Sequence, residues 1–129
     1  MLVDTNVVSY IFKKHTLDEI YSQELEGHRL YVSFMTVAEL YRWPHERNWG
    51  PALKYGLDLT ISSYTVLPTD DVLLRVWAKL ISVTRKSQPM GYADSWIAAT
   101  ALRHNLPLVT HNRKHFEGIP GLRVLSAAG

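Results

Sequence analysis

The 129-residue sequence contains no cysteine, and this absence removes several kinds of site at once. It excludes a disulfide framework and a thiolate metal site, so a metal ligand must be an oxygen atom or an imidazole nitrogen. A chain without cysteine also fits a reducing compartment, and we expect a cytoplasmic protein. The chemistry must therefore be sought among acids, amides, hydroxyls and histidines.

Other absences narrow the class of protein further. No apolar run approaches the length of a membrane-spanning helix, and Asp4 interrupts the only apolar start that could be a signal peptide, so we expect no membrane partner. No repeat, low-complexity segment or linker is present, which predicts one domain over residues 1–129. The net charge of +2 is compatible with nucleic-acid binding but too small to argue for it alone.

Short β-favouring segments alternate with helical ones along the chain. Strands are predicted at residues 2–3, 30–34, 64–67, 107–109 and 122–125. Helices are predicted at residues 7–12, 16–26, 37–41, 50–63, 93–102 and from 69 or 70 to 82, with a polar loop at 85–91 and a turn or helical stretch at 111–116. Strands alternating with helices predict the α/β class, here an α/β/α sandwich with a mostly parallel sheet of four to five strands.

Several helix details follow from capping residues and periodicity. Thr16 and Glu19 form the pattern of a capping box, which predicts the start of the second helix. Thr36 is expected to cap the third helix, which would place Glu39 in its first turn, and Pro44 predicts a kink or break soon after. The helix that starts at 69 or 70 is expected to bury one apolar stripe, formed by Val72, Leu73, Val76, Trp77, Leu80 and Ile81.

Three acids occupy equivalent places in this pattern. Asp4 follows the first strand, Glu39 opens the helix after the second, and Asp94 lies at the start of the apolar helix 93–102. For Asp4 or Asp94 taken alone, a simple N-cap is the more common role. In a parallel sheet, however, the three positions converge on one crevice, and their mutual repulsion is most simply relieved by a hard divalent cation, Mg²⁺ or Mn²⁺. Thr110 and Asn112 follow the fourth strand and approach the same crevice.

The motifs that carry these residues resemble a known family. They are Leu-Val-Asp-Thr-Asn at 2–6, Thr-Val-Ala-Glu-Leu at 36–40, Ala-Asp-Ser-Trp-Ile-Ala-Ala-Thr-Ala at 93–101, Leu-Val-Thr-His-Asn-Arg-Lys-His-Phe at 108–116 and Gly-Ile-Pro-Gly-Leu-Arg-Val at 118–124. In this order, and over essentially the whole chain, they resemble the PIN domain. Within that family the chain is most similar to VapC-type ribonuclease toxins of toxin–antitoxin pairs.

The resemblance implies roles for individual residues. It makes Asp4, Glu39 and Asp94 the metal-binding acids of a catalytic site, and Thr110 a hydroxyl contact to a metal-bound water or to phosphate. The family's fourth acidic position falls at or near Asn112, which brings no charge, and some relatives place an acid where this chain has His115. A second metal site would therefore be incomplete in the free protein, and a substrate phosphate would have to complete it.

The implied function is a Mg²⁺- or Mn²⁺-dependent endoribonuclease that hydrolyses RNA and is neutralised by a cognate antitoxin protein. The resemblance also implies a homodimer whose two sites share a groove. An alternative, motivated by Asn112, is a PIN-like RNA-binding module without catalysis. A generic phosphate-binding α/β domain is less favoured, because the sequence has no Gly-rich phosphate loop.

Some residues stay open between a functional and an ordinary role. His111 and His115 are four positions apart and could form a zinc pair on a helix, although surface positions are more usual. Basic pairs near predicted loops could hold an RNA backbone: Lys13 and Lys14, Arg85 and Lys86, and Arg113 and Lys114. For Trp43 and Trp49, a role in packing or in an interface is favoured over base stacking. Residues 8–12 and 36–49, with Tyr41, Trp43 and Trp49, are the candidate docking surface for the antitoxin, with core or dimer packing as the alternative.

Overall fold

The computed structural model describes residues 1–84 and 90–127. Five strands are formed by Leu2–Val3 (β1), Tyr31–Ser33 (β2), Thr65–Leu67 (β3), Leu108–Val109 (β4) and Val124–Leu125 (β5). Six α-helices are formed by Thr5–Phe12 (α1), Asp18–Leu25 (α2), Phe34–Glu46 (α3), Pro51–Ser62 (α4), Asp71–Thr84 (α5) and Tyr92–His104 (α6), and a 3₁₀ turn spans Arg113–His115. None of these helices combines the length and apolarity needed to cross a bilayer.

The five strands form one sheet in the order β3-β2-β1-β4-β5, and every neighbouring pair is parallel. β1 lies at the centre, where Leu2 pairs with Leu108 and Val3 with Val109. In a parallel sheet the carboxyl ends of all strands lie on the same edge, so the residues that follow β1, β2 and β4 are brought together there. The predicted parallel α/β architecture is confirmed.

Alternating side chains of the central strands supply two apolar clusters, one on each face of the sheet. Val3 and Val109 belong to a cluster that includes buried residues of α1, α2, α3 and α4. Leu2 and Leu108 belong to the other cluster, with buried residues of α5 and α6 and with Phe116. The sheet is therefore covered on both faces, which confirms the α/β/α sandwich.

The start of α3 differs from its prediction. Ser33, not Thr36, is the N-cap, and its hydroxyl accepts a hydrogen bond from the Thr36 backbone N–H. The helix begins at Phe34 because this cap lies at the end of β2, so Glu39 falls in the second turn rather than the first. The helix also continues through Pro44 to Glu46, and the predicted break is wrong because Pro44 lies within the last turn, close to where the helix ends.

Two further details of the helices were predicted wrongly. α2 starts after Leu17 without a side-chain cap, and the Thr16 hydroxyl contacts the His15 imidazole instead of capping the helix. In α5 only Leu73 and Leu80 of the predicted stripe are buried, three further members (Val76, Trp77 and Ile81) are partly buried, and the first member, Val72, is 47% exposed. Asp70 does cap α5, since its Oδ1 accepts from the Leu73 backbone N–H. Most of the predicted loop 85–91 lies outside the described residues.

Candidate active site

The three acids predicted from the sequence line a single cleft, called here the acid cleft. Asp4 directly follows β1, Glu39 lies in α3, and Asp94 lies in the first turn of α6. Asn112, a few residues after β4, lines the same cleft. Residues that are up to 108 positions apart in the sequence, from Asp4 to Asn112, therefore lie together at the carboxyl edge of the sheet, as the parallel topology requires.

Asp4 is both a helix cap and a member of the acid cleft. Its Oδ1 accepts a hydrogen bond from the Thr5 backbone N–H at 2.8 Å, and its Oδ2 accepts one from the Thr110 hydroxyl at 2.6 Å. The side chain is only 4% exposed. Both carboxylate oxygens are thus fixed, so the capping role and the functional role do not exclude each other.

The surroundings of Asp4 raise its pKa from the ordinary value of 3.8 to about 6. Burial is the largest cause, because it disfavours the charged carboxylate. The hydrogen bonds from Thr110 and Thr5 oppose this shift, whereas the negative charges of Asp94 and Glu39 add to it. Asp4 therefore experiences the other two acids of the cleft as like charges.

Glu39 is tied to the Asp4 region through Thr5. The Thr5 hydroxyl donates a 2.7 Å hydrogen bond to Glu39 Oε1, and its oxygen lies 3.0 Å from the buried hydroxyl of Thr36. Because the Thr5 backbone N–H also donates to Asp4 Oδ1, one residue orients two acids. The sequence gives no local indication of this contact, which spans 34 residues.

Asp94 has a different environment from the other two acids. The N-cap of α6 is Gly91, so Asp94 is not the N-cap that was considered from the sequence. Its Oδ2 lies 3.0 Å from Nδ1 of His115, whose side chain is exposed. The Asp94 carboxylate is therefore more accessible than that of Asp4 and is paired with an imidazole.

Thr110 and Asn112 occupy different kinds of position. Thr110 is fully buried, and its hydroxyl donates to Asp4 while accepting a 3.1 Å hydrogen bond from the Asn112 backbone N–H. It is placed to position Asp4 and the turn after β4 rather than to contact a substrate directly. The Asn112 side chain is exposed and lines the cleft.

The donor set of the acid cleft has the chemistry of a hard divalent cation site, with three carboxylates and one amide. A cation would stabilise the ionised form of Asp4, whose pKa is raised mainly by burial and further by the charges of Asp94 and Glu39. Within residues 1–84 and 90–127, no three His, Asp or Glu side chains stand close enough together to hold an ion by themselves. Mg²⁺ usually keeps several waters and takes one or two carboxylates directly, so the residues fit a partly hydrated ion.

His111 and His115 do not form the zinc pair considered from the sequence. His111 Nδ1 is hydrogen-bonded to the Tyr21 hydroxyl at 2.7 Å, whereas His115 Nδ1 contacts Asp94. The segment that carries them is a 3₁₀ turn and not an α-helix. The described part of the chain also offers no third protein ligand beside them.

The aromatic residues near the cleft have mostly packing roles. Trp43 and Trp49 are half-buried, with ring centroids 6.3 Å apart, and both pack against the core cluster of α1–α4. Of the three aromatic residues expected on a docking surface, only Tyr41 is exposed, at 50%. Trp43 also lines the acid cleft beside Arg42, a placement that the sequence did not predict.

Among the basic pairs that were expected near loops, Arg85 and Lys86 lie outside the described residues.

Comparison with known proteins assigns this arrangement to a family. The family model described as the PIN domain matches residues 1–122. Ribonuclease VapC1 of Haemophilus influenzae (strain R2866) is 32% identical over 126 residues, which cover 95% of this chain and 93% of that protein.

Solved structures give the same result. A chain of VapBC-1 from nontypeable Haemophilus influenzae superposes with a TM-score of 0.83 and 30% identity, covering 97% of this chain and 96% of that one. A chain of VapBC2 from Rickettsia felis, bound to a DNA fragment from their promoter, gives a TM-score of 0.86 at 25% identity, with the same coverage. The likeness thus extends over nearly the full length of each chain.

Proposed function

We propose, from the premise that this chain belongs to the PIN domain family, that it is an endoribonuclease that hydrolyses the phosphodiester bonds of RNA. The observation that carries the proposal is the gathering of Asp4, Glu39 and Asp94 in one cleft, at the carboxyl edge of a parallel sheet. Relatives named as VapC ribonucleases support it.

In this proposal Asp4, Glu39 and Asp94 bind a partly hydrated divalent cation, Mg²⁺ or Mn²⁺, with bound water completing its ligand shell and Asn112 beside it. When bound, the cation supplies Lewis acidity and positive charge for phosphodiester hydrolysis. The chain's own contribution is to fix the ligands in advance: Thr110 and the Thr5 backbone hold Asp4, and the Thr5 hydroxyl holds Glu39. Such preorganisation means that little rearrangement is needed when the substrate arrives. We assign no acid as a covalent nucleophile.

Asn112 is where this site departs from the family pattern. An amide offers a carbonyl oxygen but no charge, so we propose one resident cation in the free protein and completion of any second site by the substrate phosphate. The exposed position of Asn112 in the cleft is compatible with this role.

We further propose that the protein is a toxin neutralised by a cognate antitoxin, in keeping with its similarity to VapC chains of VapBC pairs. A cleft with three carboxylates suits a guanidinium group, which binds a carboxylate through two parallel hydrogen bonds. An antitoxin arginine would compete there with the cation. We also propose a cytoplasmic homodimer of chains that are each one PIN domain over residues 1–129.

The decisive test is cleavage of a structured RNA by the purified protein with Mg²⁺ or Mn²⁺. Wild type should cleave, chelation with EDTA should stop cleavage, and Asp94→Asn should abolish it. Asp58→Asn is the matched control, because Asp58 is an exposed aspartate of α4 that does not line the cleft. Wild type that binds RNA but never cleaves it with either metal would instead identify a non-catalytic RNA-binding module.

The antitoxin proposal needs a separate test with the purified complex. The complex should be inactive, and activity should return when the antitoxin is digested or when its inserted arginine is changed to alanine. A complex that cleaves RNA as fast as the free protein would rule out inhibition by occupation of the acid cleft.

A further inference from the structure

Two cations lie over the indole ring of Trp43, which lines the acid cleft. The Lys13 Nζ atom is 4.7 Å from the ring centroid, and the guanidinium carbon of Arg47 is 5.0 Å from it. Lys13 is the C-cap of α1 and Arg47 is the C-cap of α3. The helices that carry Thr5 and Glu39 thus end beside the same aromatic ring, each with a positive charge.

Neither cation forms an ion pair with an acid in the described residues. The basic side chains that do form ion pairs there are Arg42, Arg75, Arg103 and His115. Burial and the nearby charge of Arg47 both lower the pKa of Lys13. Two like charges therefore lie near the same indole ring, and no acid among the described residues forms an ion pair with either. An arrangement of this kind favours binding of an anion that can contact both groups.

The two cations lie at a distance from the acids of the cleft. Lys13 comes nine residues after Asp4, and Arg47 comes eight residues after Glu39. At a rise of 1.5 Å per residue, each cation is about 12–14 Å along its helix from the acid. An anion at Lys13 and Arg47 is thus separate from a phosphate positioned at the acids. Arg42 also lines the cleft, but its charge is neutralised by Glu46.

We propose that Lys13 and Arg47, positioned by the Trp43 ring, bind a backbone phosphate of the RNA strand a few nucleotides away from the bond that is cut. This inference rests on the proposed function, because it takes RNA as the substrate. It accounts for how a polyanion approaches a cleft that carries three negative charges: the basic rim attracts the strand at one end while the acids act at the other.

The test is equilibrium binding of a short fluorescein-labelled single-stranded RNA to the full chain, in EDTA so that no cleavage occurs, over a series of salt concentrations. Lys13→Ala and Arg47→Ala should each weaken binding by about 3- to 10-fold. The double variant should lower the slope of log K against log salt by about 0.7, since one phosphate contact on a single strand contributes about that much.

Two sets of controls separate charge from structure. Lys13→Arg and Arg47→Lys keep the charges and should retain most of the affinity and the salt slope. Lys79→Ala removes an exposed lysine on α5, on the opposite face of the sheet, and should change neither. Circular dichroism melting of each variant shows whether it is folded.

A folded double variant that binds RNA with the wild-type affinity and salt slope would overturn the inference. The same readout distinguishes this failure from failure of the proposed function, because binding is measured without cleavage. Wild type that binds through Lys13 and Arg47 but never cleaves would contradict the nuclease proposal and leave the phosphate contact supported.

Discussion

The hydroxyl of Thr110 donates a 2.6 Å hydrogen bond to Asp4 Oδ2, joining two residues that are 106 positions apart. The same hydroxyl accepts a hydrogen bond from the Asn112 backbone N–H. One fully buried hydroxyl therefore supports both an acid at the end of β1 and the turn that follows β4. This hydroxyl therefore fixes the ends of the neighbouring strands β1 and β4 relative to each other at the point where the cleft forms.

Thr110→Val should impair both activity and stability, because it replaces this hydroxyl with a methyl group of similar size. Loss of a hydrogen bond to a buried carboxylate costs about 1.5–3 kcal/mol. The pKa of Asp4 should rise above its value of about 6, since the Thr110 hydrogen bond lowers it, and the acidic limb of the pH–activity profile should move to higher pH. Thr110→Ser should restore the profile; a valine variant with an unchanged profile would contradict the role.

Asp4→Asn should stabilise the protein at neutral pH in EDTA while abolishing cleavage. Between the ordinary pKa of 3.8 and the folded-state value of about 6, the folded protein binds more protons at Asp4 than the unfolded chain does. Stability due to this group therefore falls as pH rises through that window, and the loss is complete above it. The amide avoids this penalty, which predicts a gain of about 1–3 kcal/mol at pH 7.

The check is denaturant unfolding of wild type and Asp4→Asn at pH 7 and at a pH near 4. The two proteins should differ clearly at pH 7 and approach each other near pH 4, where Asp4 is protonated in the folded state. Asp58→Asn, at an exposed position, should show no such pH-dependent gain. An Asp4→Asn variant that is less stable at pH 7 would mean that its hydrogen bonds outweigh its desolvation.

Asn112→Asp should tighten divalent metal binding in the free protein, because it adds a negative charge to a cleft that already has three acids. Isothermal titration of Mn²⁺ into both forms measures the change. Asn105→Asp adds the same charge at the C-cap of α6, on a residue that does not line the cleft, and is the matched control. Equal affinity in all three proteins would place position 112 outside the ligand shell.

Lys14→Gly should raise stability by about 0.5–1 kcal/mol. Lys14 follows the C-cap of α1 with a φ of +51°, in the left-handed region that disfavours residues with a Cβ atom. Lys54→Gly, within α4, should have the opposite sign and a similar size, because glycine weakens a helix interior. Thermal melting of both variants tests this; a Lys14→Gly protein that melts below wild type would show that the lysine side chain contributes contacts that outweigh the strain.

The layered fold, and the position of the three acids at one edge of the sheet, could be predicted from the sequence because they depend on local patterns. Strand-to-helix junctions at Asp4 and near Glu39, together with apolar periodicity, indicate a parallel sheet and thus one edge. The exact start of α3 could not be predicted, since Phe34 and Met35 suit a strand as well as a helix. Only the position of Ser33 at the end of β2 decides between them.

The contacts that orient the site were not predictable for a different reason. The bond from Thr5 to Glu39, the bond from Thr110 to Asp4 and the contact between His115 and Asp94 join residues that are far apart in the chain. No local preference encodes such pairs; they exist because the sheet order places their elements side by side. The same holds for Lys13, whose position over Trp43 depends on how α1 packs against α3.

The central position of β1 in the sheet determines when, during synthesis, the acid cleft can form. Its partner β4 and the buried Thr110 are translated more than 100 residues later. At about 5–20 residues per second, Asp4 waits roughly 5–20 s for the residues that support it. An unfinished chain therefore lacks an organised acid cleft. The ribosome that makes this protein is exposed to the proposed nuclease activity only once synthesis is nearly complete.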